Sequence, residues 1–251
     1  MLLMRDDGQK PAHDSMGCHI YNFGRSASAR CYFHKMCLQM VASGVIDGCG
    51  ADASQAMGGD ADGSRWQISA QELAAWRSGH QQMLAELPGL LGNGVLLGDV
   101  DCPGCDWGAL PTTATGVHSE HCAPNNETIN GLRRAGREHP GKIVQCHFTE
   151  DRSGMGQDVH HSIAAFLIGM SEHHYWGVGF WDNKPEYGGQ PDFSDHWVAD
   201  VYDRRLGQPN GDGEYNARTG EWSRGFGMMN GRPRVTVFFD TTTNLGNILW
   251  G

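Results

Sequence analysis

Acidic side chains at the ends of short apolar runs mark where this chain could do chemistry. Residues 45–51 lead into Asp52, and 94–98 lead into Asp99 and Asp101. Residues 115–119 lead into Glu120, and 175–181 lead into Trp181 and Asp182. The run at 142–148 carries His147. In α/β proteins the C-terminal ends of strands face the ligand, and carboxylates there serve as acids, bases or nucleophiles. A lone strand-end acid more often caps a loop than reacts. Asp52 gains weight because the pattern recurs down the chain.

The elements that must hold these side chains alternate. Ser26 is an N-cap for a helix to about residue 43, with Phe33, Met36, Cys37, Met40 and Val41 as its apolar stripe. A strand at 45–51 and a long polar loop at 53–67 follow. Ser69 and Glu72 form a capping box, and Leu73, Trp76, His80, Met83, Leu84 and Leu87 make the buried stripe of a helix that Pro88-Gly89 ends. Strands are expected at 94–99, 115–120, 142–148 and 175–181. A helix capped by Asn125 or Asn126 runs to Pro140-Gly141, and another starts at Asp158 with Ile163, Phe166, Leu167 and Met170 inside. Such alternation implies parallel strands with crossover helices. The expected fold is α/β, a (β/α)8 TIM-type barrel that is incomplete, with about six βα units over residues 1–200. Residues 201–251 change pattern and read as a C-terminal antiparallel β region, with strands near 222–226, 234–240 and 247–250.

Several functions are disfavoured. The 251-residue chain carries a net charge of −10 and has no Lys/Arg run, which argues against nucleic acid and anionic membrane surfaces as partners. No apolar run approaches the ~18 residues that span a bilayer. Residues 1–4 are too short for the apolar part of a signal peptide, so the compartment stays open, and a secreted protein follows if a signal lies upstream. Eight cysteines are not a disulfide-scaffold density at this length. Cys31 and Cys37 in a helix, and Cys49 and Cys146 in strands, read as small buried hydrophobes. Cys102 and Cys105, with His118, His121 and Cys122 downstream, are zinc-ligand types, but the spacing fits a disulfide or plain thiols better than a finger. Adjacent histidines such as 160–161 and 173–174 point about 100° apart on a helix and chelate poorly. Gly48-Cys49-Gly50 lacks the rest of a dinucleotide fingerprint, and no P-loop is present. Neither a metal nor a cofactor is expected.

Segments taken in order resemble the glycoside-hydrolase-like TIM-barrel families. They are Tyr21-Asn22-Phe23, Arg30, Asp47 to Asp52, Ala165-Phe166-Leu167 and Tyr175-Trp176-Gly177. The tail adds Leu206-Gly207-Gln208-Pro209, Trp222 to Phe226 and Ile248-Leu249-Trp250. In such families the aromatic-Asn-Phe step lies between barrel strands three and four. The resemblance therefore implies a chain beginning near strand three, and Asp52, Asp99/Asp101, Glu120, His147 and Asp182 on strands four to eight. It further implies that Asp52 is a nucleophile and Glu120 a general acid/base, cleaving O-glycosidic bonds of a poly- or oligosaccharide. Two carboxyls about 5–5.5 Å apart give retention and about 6.5–9.5 Å inversion. Asp99, Asp101, His147, Trp181 and Asp182 would bind substrate, Trp181 as a stacking platform. The alternative is a non-catalytic carbohydrate-binding or degenerate barrel, and open barrel edges would favour self-association.

Overall fold

A computed structural model of the chain describes residues 2–12, 19–51, 66–100, 114–149, 159–179 and 204–251. By contacts the chain divides into two units, Met1–Val100 with Asp106–Val117, and Asp101–Cys105 with His118–Gly251.

The first unit starts with α1 (Ala27–Ala42), capped by Ser26, whose side chain accepts the Ala29 N–H. Strand β1 (Gly48–Ala51) follows. It is shorter than the apolar run suggests: Val45 is 85% exposed and stays outside the ladder. Next come α2 (Ala70–Leu91), β2 (Val95–Val100) and the start of β3 (Gly116–Cys122). β1 and β2 pair in parallel, Gly48 with Val95 through Ala51 with Gly98, and the order is β1-β2-β3.

α2 departs from the expected capping box and the expected stop. Ser69 accepts the Glu72 N–H, but the Ser69 N–H donates to Asp6 and the Glu72 carboxylate pairs with Arg25. Pro88 lies inside the helix, which continues to Leu91 and turns at Gly92 with φ 63°. Proline removes one ladder bond, yet burial of Leu87 and Leu91 on the same face holds the last turn. The predicted stripe of α2 is buried throughout, from Leu73 to Leu87.

α1 is rotated from its predicted stripe. Ala29, His34 and Cys37 are buried, while Met36 and Met40 are 45% and 52% exposed. The His34 Nε2–H donates to the Met83 carbonyl over 2.9 Å, turning that row toward α2. A second cluster joins Leu3, Ala12, Trp66, Ile68, Leu73 and Trp76. There the Trp76 ring stacks on His80 at 4.7 Å and meets Trp66 edge-on at 5.5 Å. Gly79 lies so close to Phe23 and Gly24 that a Cβ would overlap the Phe23 carbonyl.

The second unit holds the rest of β3, α3 (Asn126–Glu138), β4 (Ile143–Thr149), α4 (Val159–Gly169) and β5 (His174–Gly179). Asn125 is the cap of α3, accepting the Thr128 N–H at 2.8 Å. β4 and β5 pair in parallel, Val144 with His174 through Thr149 with Gly179, and the order is β3-β4-β5. The fold is thus α/β with five parallel strands, followed by a four-stranded antiparallel sheet.

That sheet comprises β6 (Glu214–Asn216), β7 (Glu221–Met229), β8 (Arg232–Asp240) and β9 (Leu245–Trp250). β7 and β8 turn through Asn230 and Gly231, both with positive φ (54° and 77°), the requirement of a two-residue hairpin. Alternate residues Trp222, Phe226, Val235, Val237, Phe239 and Ile248 are buried, and the sheet packs on α4. Arg224 is buried in the same face. Its guanidinium donates to the carbonyls of Leu167, Met170 and Gly211 at 2.7–2.9 Å, closing the C-terminal end of α4. The Trp222 indole N–H donates to Asn126 at 2.8 Å, and Arg133 lies 4.6 Å over the same ring.

Candidate functional site

Two of the candidate acids directly follow strands in the sequence, and Asp99, Glu120 and His147 belong to strands. Asp52 follows Ala51, the last residue of β1, and Asp101 follows Val100, the last of β2. Asp52, Asp101, Trp181 and Asp182 themselves lie outside the described residues. Asp99 is within β2 and buried, one residue after Gly98, the partner of Ala51. β2 therefore runs on to Val100, two residues past the partner of Ala51, with Asp99 in that stretch.

In the second unit Glu120 belongs to β3, and His147 sits near the end of β4 opposite Gly177 of β5. The rings of His118 and His147 are 5.7 Å apart, tilted by 37°. The sequence offers His118 only as a zinc-ligand type and not as a neighbour of His147. The available signal was its position two residues before Glu120, on one strand. Trp176 packs 6.5 Å from the buried Phe148 ring, in keeping with a core role.

β3 does not keep a regular alternation. Ser119 and Cys122 share a face, with Oγ and Sγ 3.5 Å apart, although they are three positions apart. His118 meets His147, whereas Cys122 bonds to Cys146, the neighbour on the other face of β4. A period-2 strand would put residues 118 and 122 on one face. The alternation is therefore broken between His118 and Cys122.

The cysteines correct the sequence reading. Cys37 and Cys49 form a disulfide between α1 and β1, and Cys122 and Cys146 form one between β3 and β4. Their Cα atoms are 6.0 and 5.8 Å apart, within disulfide reach. Reading them as buried hydrophobes failed because pairing depends on which element lies beside which, and spacing in sequence does not show that. Cys122 is thereby removed from the zinc-ligand set; Cys102 and Cys105 lie outside the described residues. Among the described residues no group of three or more His, Cys, Asp or Glu could hold a metal ion.

In the first unit an apolar cavity of about 300 Å³ opens beside β1. Tyr21, Phe23, Tyr32, Met36, Met40 and both sulfurs' residues, Cys37 and Cys49, line it. Among the described residues no carboxylate lines it.

Among curated proteins, no relative matches the chain. Among solved structures it is similar to the glycoside hydrolase domain of PelA from Pseudomonas aeruginosa, at 14% identity and a TM-score of 0.45, over 66% of each chain. A variant of that domain is similar at 14% identity and a TM-score of 0.43, over 64% of each chain. The chain thus spans just under two thirds of the length of those domains. The family model described as hypothetical glycosyl hydrolase family 15 matches residues 2–228, nearly the whole chain. The chain belongs to that glycoside-hydrolase-like family.

Proposed function

We propose that the protein hydrolyses O-glycosidic bonds of a poly- or oligosaccharide, with Asp52 as nucleophile and Glu120 as general acid/base. The observation that carries this reading is the family match over residues 2–228. The acids support it further: Asp52 directly follows one strand in the sequence, and Glu120 belongs to another. A glycosidase needs one carboxyl to protonate the leaving oxygen and another to attack the anomeric carbon or activate water. Asp99, Asp101, His147, Trp181 and Asp182 are assigned to substrate contacts, through hydroxyl hydrogen bonds and ring stacking. The supporting scaffold in this reading is a TIM-type barrel over residues 1–200, with 201–251 as its β appendage.

The test is hydrolysis of a glycan panel by the parent chain and by Asp52→Asn and Glu120→Gln. Each substitution should lower turnover at least about 100-fold while leaving the folded spectrum unchanged. Unchanged turnover in either variant overturns that assignment. Glycan binding by calorimetry with no product after long incubation would favour a carbohydrate-binding role instead. Self-association through open strand edges belongs to the same reading, and sedimentation over a concentration series tests it.

A further inference from the structure

We propose that the Cys37–Cys49 disulfide is a redox-sensitive clamp on β1, and that reducing it lowers the hydrolysis Asp52 supports. The second half of this proposal rests on the glycosidase reading above.

β1 has little else to hold it. It is four residues long, it is the end strand among the described residues, and two of its residues are Gly48 and Gly50. Glycines bring no side chain to pack and weaken a strand interior. Only Cys49 and Ala51 have side chains to anchor it, and Cys49 spends its own on the bond to Cys37. That bond fastens β1 to α1, whose opposite contacts run through His34 to α2. The residue after Ala51 is Asp52, so freedom in β1 passes directly to the candidate nucleophile.

The bond is also reachable. Cys37 and Cys49 line the 300 Å³ cavity, whose mouth carries Tyr21, Tyr32, Met36 and Met40, all exposed. A small dithiol fits such a space. Cys37 is itself only 4% exposed and Cys49 is half-buried, so attack falls on the Cys49 sulfur, whereas Cys122 and Cys146 are 1% and 0% exposed. Thiol–disulfide exchange needs the attacking thiolate to reach a sulfur, so the two bonds should differ in rate. In the exchange the dithiol thiolate attacks one sulfur, a mixed disulfide forms, and the second thiol of the reductant displaces it. The Cys37–Cys49 bond breaks, both cysteines end as thiols, and the dithiol is oxidised to its own disulfide, two electrons and two protons passing to the protein.

The experiment treats the full chain with graded dithiothreitol and alkylates it. Mass spectrometry then reads each thiol, hydrogen exchange reads residues 48–51, and glycan hydrolysis is assayed alongside. Cys37 and Cys49 should be alkylated at dithiol levels that leave Cys122–Cys146 intact. Exchange at 48–51 should rise, and hydrolysis should fall by about tenfold or more and return on reoxidation. The double variant Cys37→Ala/Cys49→Ala should sit at the low level and ignore dithiothreitol, with Cys122–Cys146 still formed and its helical spectrum retained. Reduction of both disulfides together, only as the protein unfolds, overturns the clamp. So does selective reduction without faster exchange at 48–51. Unchanged hydrolysis by the selectively reduced protein overturns the control of activity. Absence of hydrolysis in both redox states sinks the glycosidase reading instead, and the exchange arm still decides the clamp.

Discussion

Two histidines make the fold sensitive to acid. Burial pushes the His80 pKa down to about 4, where the ring stacks on Trp76. His174 is pushed down to about 4 as well, by burial first and then by the charges of His173 and Arg224. The unfolded chain takes up these protons near pH 6.5 and the folded one only near pH 4, so between those values the unfolded state binds more protons. Stability is therefore full above about pH 6.5 and falls as pH drops toward 4, by up to about 1.4 kcal/mol per pH unit for each ring. Denaturant unfolding at pH 7, 6, 5 and 4 should show this slope, and His80→Gln should flatten it. His174 also tempts a catalytic reading, because its Nε2 is 2.9 Å from Ser171 Oγ. Its Nδ1 accepts the Ser171 N–H, so the Nε2 carries the proton and donates to the hydroxyl. A ring in that tautomer holds the α4–β5 turn and cannot take a proton from the serine.

At the scale of elements, the end of α4 depends on one side chain. Arg224 satisfies carbonyls that helix geometry leaves without partners, and burial with nearby Arg133 lowers its pKa against the pull of Asp212. Arg224→Met should keep the packing volume but leave those carbonyls without donors, costing about 2–4 kcal/mol in denaturant unfolding. Gly231→Ala, at φ 77°, should cost about 1 kcal/mol through the strained hairpin turn. The caps were legible in the sequence because they are local. Ser26 and Ser69 act within three residues of themselves, and Asn125 is one of the two asparagines that the sequence offers for α3. The rotation of α1, the persistence of α2 beyond Pro88 and the broken alternation in β3 were not legible. Each is decided by a neighbour distant in sequence: Met83 for His34, the core for Leu91, and Cys146 for Cys122. Of the candidate site, the strands that carry Asp99, Glu120 and His147 were legible, because their apolar runs are local patterns.

For the whole molecule, the two disulfides among the described residues call for oxidising conditions during folding. Each closes a short loop, with separations of 12 and 24 residues, and each should add about 3 kcal/mol against the unfolded chain. Fully reduced protein should accordingly melt lower than oxidised protein in calorimetry. The Arg224 clasp has a different consequence, for what happens when the chain is cut. Arg205 is exposed, and everything from Glu214 onward folds as an antiparallel sheet held to α3 and α4 by Arg224, Trp222 and a buried apolar face. A single protease nick placed after Arg205 should leave both pieces travelling together on gel filtration and parting only in denaturant. The same contacts should let the severed sheet, supplied as a separate peptide, rebuild the second unit by complementation. The peptide bond at that point would then be dispensable, while the three carbonyls at the arginine would not.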